Sequence, residues 1–278
     1  MKALAGTSWG QDRDTLLLTY KAILRSKIDY AAPVWFPLVK KTSLNRLQCI
    51  QNSALRIITG CHKMSSWQHL HNEAKILSVG EHCRMLAAQH LAMTLQQNHP
   101  SFIAVSRPPG LRDKKPTLQS AFLDDVRPHL VDGVVPRGQL SLVRKQLHTS
   151  FVSNSIALNT PNPLLGTPPP PVHPSESSLP RACRSTLAQL RSSYCSYLKD
   201  YQHRIGNSPT PDCPDCNNNH VQDVRHLFEC DANHTTLAVR DLWDNPRRVA
   251  RFLSSLPSFA HLPPLLRPPQ RPPPWPSP

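Results

Sequence analysis

The chain has 278 residues, with 32 Lys and Arg against 18 Asp and Glu, a formal net charge of +14 before its 14 histidines are counted. Its 30 prolines, 9 glycines and 39% hydrophobic residues exclude one compact globule over the whole length, because proline donates no backbone N–H and fixes φ. No apolar run approaches the roughly 20 residues that span a bilayer, and the basic balance points to polyanionic partners, RNA, DNA or an anionic membrane surface, or to solubility alone.

In chain order, the opening Met1-Lys2-Ala3-Leu4 runs quickly into Gln11-Asp12-Arg13-Asp14 with no signal-peptide pattern. Asp12 or Asp14 can cap a helix carrying Leu16, Leu17, Tyr20, Ile23, Leu24 and Ile28, ended by Ala32-Pro33. Thr42 or Ser43 can cap a second helix, in which Leu44, Leu47, Ile50, Ala54, Ile57 and Ile58 recur at spacings of three and four before Gly60 stops it. A short helix is expected over 67–77 and a longer one over 81–98, with Cys83, Leu86, Ala87, His90, Leu91 and Leu95 inward. These elements make residues 10–100 a helical region.

Residues 101–180 read as an irregular, proline-rich linker, with room for short helices at 117–127 and 139–155. Pro168-Pro169-Pro170-Pro171 lies in its stiffest, most extended part. Helical spacing resumes at 181–206, where Leu187, Leu190, Tyr194, Tyr197, Leu198, Tyr201 and Ile205 cluster. Two short helices are expected at 235–243 and 246–255, the second with Asn245 at its cap and Pro246 in its first turn. From Pro257 to Pro278 proline is so dense that a disordered tail is expected, able to dock SH3- or WW-type proline-motif-binding proteins. The fold class expected is mainly α: a helical region, a basic helix plus Cys/His module at 181–256, and a disordered linker and tail.

The strongest chemical signal is Cys213-Pro-Asp-Cys216 followed by His226-Leu-Phe-Glu-Cys230. Two cysteines two residues apart reach one ion from a tight turn, and a His and Cys four positions apart leave one helical face together. Three thiolates and one imidazole form a closed structural zinc set with no open position for catalysis; His220 and His234 are alternative ligands. Asp212, Asp215, Asp223, Glu229 and Asp231 outnumber Arg225 around it, so its rim repels phosphate and its expected role is to orient the flanking helices. The remaining cysteines lie in apolar or helical segments, which fits free thiols in a reducing nuclear or cytoplasmic setting.

The helix expected at 181–206 is the nucleic-acid candidate. Arg181, Arg184, Arg191, Lys199 and Arg204 can neutralise phosphates, and the interleaved Tyr194, Tyr197 and Tyr201 can stack on unpaired bases. The competing reading is an amphipathic helix with its tyrosines in the core. Lys40, Lys41, Arg46 and Arg56 offer a second basic surface. Among common enzyme templates, the chain has no G-x-x-x-x-G-K-[ST], G-x-G-x-x-G or H-E-x-x-H. Phe122-Leu123-Asp124-Asp125 matches the aromatic-x-Asp-Asp of polymerases but lacks flanking apolar strands, and reads as a short helix.

Several separated blocks resemble one family. Leu4-Ala5-Gly6-Thr7-Ser8-Trp9-Gly10, Tyr30-Ala31-Ala32-Pro33-Val34-Trp35 and Leu47-Gln48-Cys49-Ile50-Gln51-Asn52-Ser53-Ala54-Leu55-Arg56-Ile57-Ile58-Thr59-Gly60 are similar to jockey-like non-LTR (LINE-type) retrotransposon reverse transcriptases. Thr186-Leu187-Ala188-Gln189-Leu190-Arg191-Ser192, the Cys/His array, Asp241-Leu242-Trp243 and Val249-Ala250-Arg251-Phe252-Leu253 follow in the same order. The resemblance implies a thumb-like region at 10–100 and a zinc-knuckle-like module that engages element RNA or target DNA. It also implies a portion of an RNA-directed DNA polymerase without the palm carboxylates, hence not an enzyme as it stands. The alternatives carried alongside are a non-catalytic zinc-stapled adaptor whose proline tail binds proteins, and a degenerate reading frame.

Overall fold

In the computed structural model, residues 3–6, 10–96, 99–103, 117–157, 160–216 and 220–263 are described. The described residues are mainly helical, with no strand longer than an isolated bridge. None of their helices is long and apolar enough to cross a membrane. The chain forms two compact units: Met1–Gly6, Gly10–Thr59 and Ser66–Pro161 in the first; Thr7–Trp9, Gly60–Ser65 and Asn162–Pro278 in the second.

The first unit opens on α1 (Arg13–Thr19), capped by Asp12, whose Oδ1 accepts from the N–H of Asp14 and Thr15 at 2.8 and 3.0 Å. The helix then widens to a π-turn over Tyr20–Arg25 before α2 (Ser26–Asp29). Residues five apart diverge on an α-helix but come together on a π-turn, and here both Tyr20 and Arg25 are buried. Tyr20 Oη donates to Gln51 Oε1 at 2.6 Å, and Arg25 reaches the same oxygen. A left-handed Ala31 separates α3 (Ala32–Trp35), which carries Pro33 in its first turn.

Helix α4 (Lys41–Thr59) buries Ala54, Leu55 and Ile58, starting at Lys41 rather than being capped by Thr42 or Ser43. Gly60 follows at φ +74°. Ser66 caps α5 (Trp67–Ala74), and a full capping box of Ser78 and Glu81 starts α6 (Val79–Thr94).

Helices α7 (Leu118–Val126) and α8 (Leu140–Ala157) lie in the segment expected to be linker. They pack on α6 through Ala87, Ala88, Leu91, Phe122, Val126, Val143 and Leu147. The alanines of α6 let the neighbours approach closely, and each fully buried leucine contributes about 1.5–3 kcal/mol. The helical unit therefore runs to Pro161 instead of ending near residue 100. The Phe-Leu-Asp-Asp tetrad lies on α7, with Phe122 buried and Asp125 paired to Arg84 at 2.8 Å.

The second unit has α9 (Arg181–Arg191), α10 (Lys199–Arg204), α11 (Val224–Glu229), α12 (Asp241–Asp244) and α13 (Pro246–Ser254). Leu187, Leu190, Leu227, Trp243, Val249, Leu253 and Phe259 form its core. Two expectations are corrected here. The proline stretch is not a free linker: Leu164, Leu165 and Val172 pack against the core, His173 N–H donates to Trp243 O at 2.9 Å, and Glu176 is buried. An extended segment needs no internal hydrogen bonds, so it can lie along a core as well as in water. Nor does the tail leave the fold at Pro257, since a 3-10 turn over Pro257–Phe259 carries Phe259 and Leu262 into the core. The proline-motif docking segment at 264–278 lies outside the described residues.

The helix expected over 181–206 is two helices. Ser193 takes a left-handed φ of +60°. Its N–H donates to Leu190 O at 2.9 Å and that of Tyr194 to Gln189 O at 3.1 Å, the paired bonds of a Schellman ending with serine where glycine is usual. Helix α12 is likewise shorter than the 235–243 expected, because 235–238 form no regular element and 239–240 a turn. Asn245 precedes α13 without capping it through its side chain, and bonds Asp241 instead.

Candidate metal centre

The Cys/His array is built from a short two-stranded ribbon and one helix. Asp212 and Val221 form an antiparallel bridge, Cys213 N–H donates to His220 O at 2.8 Å, and Gln222 N–H donates to Pro211 O at 2.9 Å. This pairing places Cys213 and Cys216 on the turn side. Asp223 then caps α11, accepting from His226 N–H at 2.8 Å. Val224, Leu227 and Phe228 bury the inner face of α11, which leaves His226 and the terminal Cys230 on the face toward the ribbon.

The four side chains converge. The ligand atoms of Cys213, Cys216, His226 and Cys230 all lie within 4.8 Å of one another. Cys213 Sγ is 4.0 Å from Cys230 Sγ, and Cys216 Sγ is 3.3 Å from His226 Nε2. A tetrahedral zinc, with bonds of about 2.3 Å to sulfur and 2.0 Å to nitrogen, sets sulfurs about 3.8 Å apart and sulfur and nitrogen about 3.5 Å apart. The four residues thus form a possible metal-binding site compatible with zinc. Neither alternative ligand belongs to the cluster: His220 and His234 are exposed, and His220 contributes its backbone carbonyl to the ribbon.

The electrostatics of the cluster favour a cation. Burial, then the neighbouring Cys213, pushes the Cys230 thiol up to about 11, with a backbone hydrogen bond opposing them. Three sulfurs this close cannot all ionise without a positive charge among them, and a bound cation reverses that penalty. The carboxylates of Asp215, Glu229 and Asp231 are exposed around the cluster.

The residues expected to bind nucleic acid do not form one surface. Arg191 is fully buried: its Nε and Nη2 donate to Leu242 O at 3.0 and 2.7 Å, and its guanidinium pairs with Glu176. Arg184 is also buried, at 8% exposure, with Nη1 directed at Ser177 O. Both are structural, because α9 is enclosed almost all round. Arg181 and Lys199 are half-buried, and Tyr197 stacks on His261 with ring centroids 3.6 Å apart.

Tyr194 remains accessible, and exposed Arg204 lies over both it (5.6 Å) and Tyr201 (5.8 Å). Tyr201 Oη meets His62 Nε2 at 2.9 Å; burial, then the charge of Lys63, lowers the His62 pKa, and because Nδ1 accepts from the Met64 N–H the neutral ring donates from Nε2 to Tyr201 Oη.

Sequence reasoning missed the basic face of α13. Val249, Ala250 and Leu253 are buried while Arg247, Arg248 and Arg251 are exposed. The Pro246-Arg-Arg-Val-Ala-Arg run carries that signal, since helical spacing puts the arginines opposite the apolar positions. Arg247 is tied to Ser175 O and Ser178, whereas Arg248 and Arg251 make no ion pair among the described residues. In unit 1, Lys40, Lys41 and Arg46 are exposed and Arg56 is half-buried. No family model, curated protein or solved structure matches this chain.

Proposed function

We propose that the chain is the nucleic-acid-binding C-terminal portion of a non-LTR retrotransposon reverse transcriptase, held in shape by one structural zinc and carrying no polymerase chemistry of its own. The observation that carries this reading is the convergence of Cys213, Cys216, His226 and Cys230, the array that the resemblance associates with the zinc-knuckle-like end of that family. The zinc would fasten the ribbon to α11, and through Leu227 and Phe228 fix the core on which α9 and α13 lie. The centre acts as a staple and not as the grip, because its carboxylate rim repels phosphate. The grip is assigned to Arg204, Arg248 and Arg251, which are exposed, and to Lys40 just before α4 with Lys41 and Arg46 on it.

The test is binding of zinc-loaded chain to labelled single-stranded RNA and to duplex DNA across a salt series. Affinity that falls steeply as salt rises is expected, because phosphate contacts release condensed counterions. No binding, or binding indifferent to salt, would overturn the reading. Metal analysis under reducing conditions should return one zinc per chain.

A further inference from the structure

Beside the metal-bearing helix lies a recess of about 200 Å³ that the staple does not use. Leu198 and Val224 give it apolar walls, and Ser193, Asp200, Arg204 and Asp223 supply its polar lining. That volume offers room for one heterocyclic base.

Its polar groups have capacity to spare. Ser193 Oγ is buried with no hydrogen-bond partner, a costly arrangement unless a ligand supplies one. Asp200 Oδ2 accepts from Arg204 at 2.6 Å, and Asp223 Oδ1 accepts from the His226 N–H. No described group donates to the other oxygen of either carboxylate.

The lining thus presents two acceptors and one hydroxyl donor. Among the common bases, only guanine offers two donors on its pairing edge, N1–H and the exocyclic amine, beside one acceptor, O6. The two carboxylates of the lining disfavour phosphate inside the recess, while the half-exposed Arg204 can meet a phosphate outside.

We propose that this recess takes one unstacked guanine base of a single-stranded nucleic acid, its amine edge facing Asp200 and Asp223 and its O6 accepting from Ser193. The site rests on the nucleic-acid reading above and gives it a base preference. It also links the two features of the module, since Asp223 both caps the helix bearing His226 and lines the recess.

The experiment measures binding of the full zinc-loaded chain to fluorescein-labelled uridine nonamers holding one central guanosine, inosine, adenosine or uridine. Guanosine should bind about tenfold more tightly than inosine, which lacks only the exocyclic amine, the step expected for one hydrogen bond to a charged acceptor. Asp200→Asn should remove that preference and leave all-uridine binding within about twofold. Ser193→Gly, which loses the hydroxyl and suits the left-handed backbone, should weaken guanosine binding selectively. Equal affinity for guanosine and inosine in the parent chain, or a preference surviving both substitutions, would overturn the site while leaving general binding intact. Failure to bind any nonamer would overturn the nucleic-acid reading itself, and the recess with it.

Discussion

Arg191 and Glu176 form an ion pair inside the second unit, with side-chain exposures of 0% and 4%. The guanidinium also donates to Leu242 O and lies 6.0 Å from the Trp243 ring centroid, so one side chain joins α9, α12 and the proline segment. Burying both charges costs several kcal/mol each in desolvation, and the pairing together with the carbonyl bonds offsets it.

Removing one partner should therefore cost far more than removing both. Glu176→Gln is expected to lower unfolding stability by about 3–5 kcal/mol, because it leaves the Arg191 charge uncompensated. The double change Glu176→Leu with Arg191→Met should be the milder. Urea unfolding followed by tryptophan fluorescence, to which the buried Trp243 contributes, reports both. Equal losses in the two variants would refute this account of the pair.

The same pair explains much of what was and was not legible in the sequence. Helical spacing located α4, α6 and α9, and the Cys/His spacing located the convergent Cys/His cluster, because both signals are local. Arg191 looked like a phosphate ligand because nothing local distinguishes a solvated arginine from one whose carboxylate lies 15 residues away. The proline segment looked like linker because a polyproline backbone reads alike in water and against a core. Ser193 hid the break between α9 and α10, since serine is seldom left-handed, and the tyrosines continued the helical spacing past it. Helices α7 and α8 read as isolated fragments because their burial comes from α6 and not from their own period.

Cysteine reactivity should divide along the same lines. Burial pushes the thiols of Cys83 and Cys183 up to about 11 and that of Cys195 to about 12, whereas Cys49 is exposed. A thiolate reagent at neutral pH should therefore label Cys49 first in zinc-loaded protein. A strong chelator should then open Cys213, Cys216 and Cys230 and lower the melting temperature, with Cys83, Cys183 and Cys195 still protected until the chain unfolds. Peptide mass mapping of the labelled sites decides it. Early labelling of Cys213 in the loaded protein would contradict a closed metal set.

His71 gives the first unit a defined acid sensitivity. Burial depresses its pKa below 6.5, against a smaller opposing effect of its backbone bond to Ile76. The ring Nδ1 meets Ile76 O at 2.7 Å, and Nε2 accepts from Gln48 at 2.9 Å, which fixes the neutral tautomer. The folded state thus holds fewer protons than the unfolded one. Its contribution is complete above about pH 6.5 and is lost as pH falls from there through the depressed folded value. His90 and His261, lowered by burial, act in the same direction. His71→Asn, which keeps a donor near Ile76 without a titrating ring, should be less stable at neutral pH yet lose less stability on acidification. Denaturant unfolding at a series of pH values measures the slope. An unchanged slope would show that His71 does not titrate with folding.

The α13 arginines give the sharpest separation between folding and binding. Arg248 and Arg251 extend from a helix whose opposite face, Val249, Ala250 and Leu253, is fully buried. Exposed side chains of this kind contribute little to stability, so Arg248→Gln with Arg251→Gln should leave the melting temperature within a degree or two. If each contacts one phosphate, the slope of log affinity against log salt should become shallower by about 1.4–1.8, the loss of two condensed counterions, and the effect should be similar for every sequence tested. Arg191→Gln should behave in the opposite way, lowering stability steeply and leaving the salt slope of the remaining folded protein unchanged. Fluorescence anisotropy at several salt concentrations, paired with thermal unfolding of each variant, separates the two classes. A salt slope that falls for Arg191→Gln and not for the α13 pair would rule out Arg248 and Arg251 as phosphate contacts.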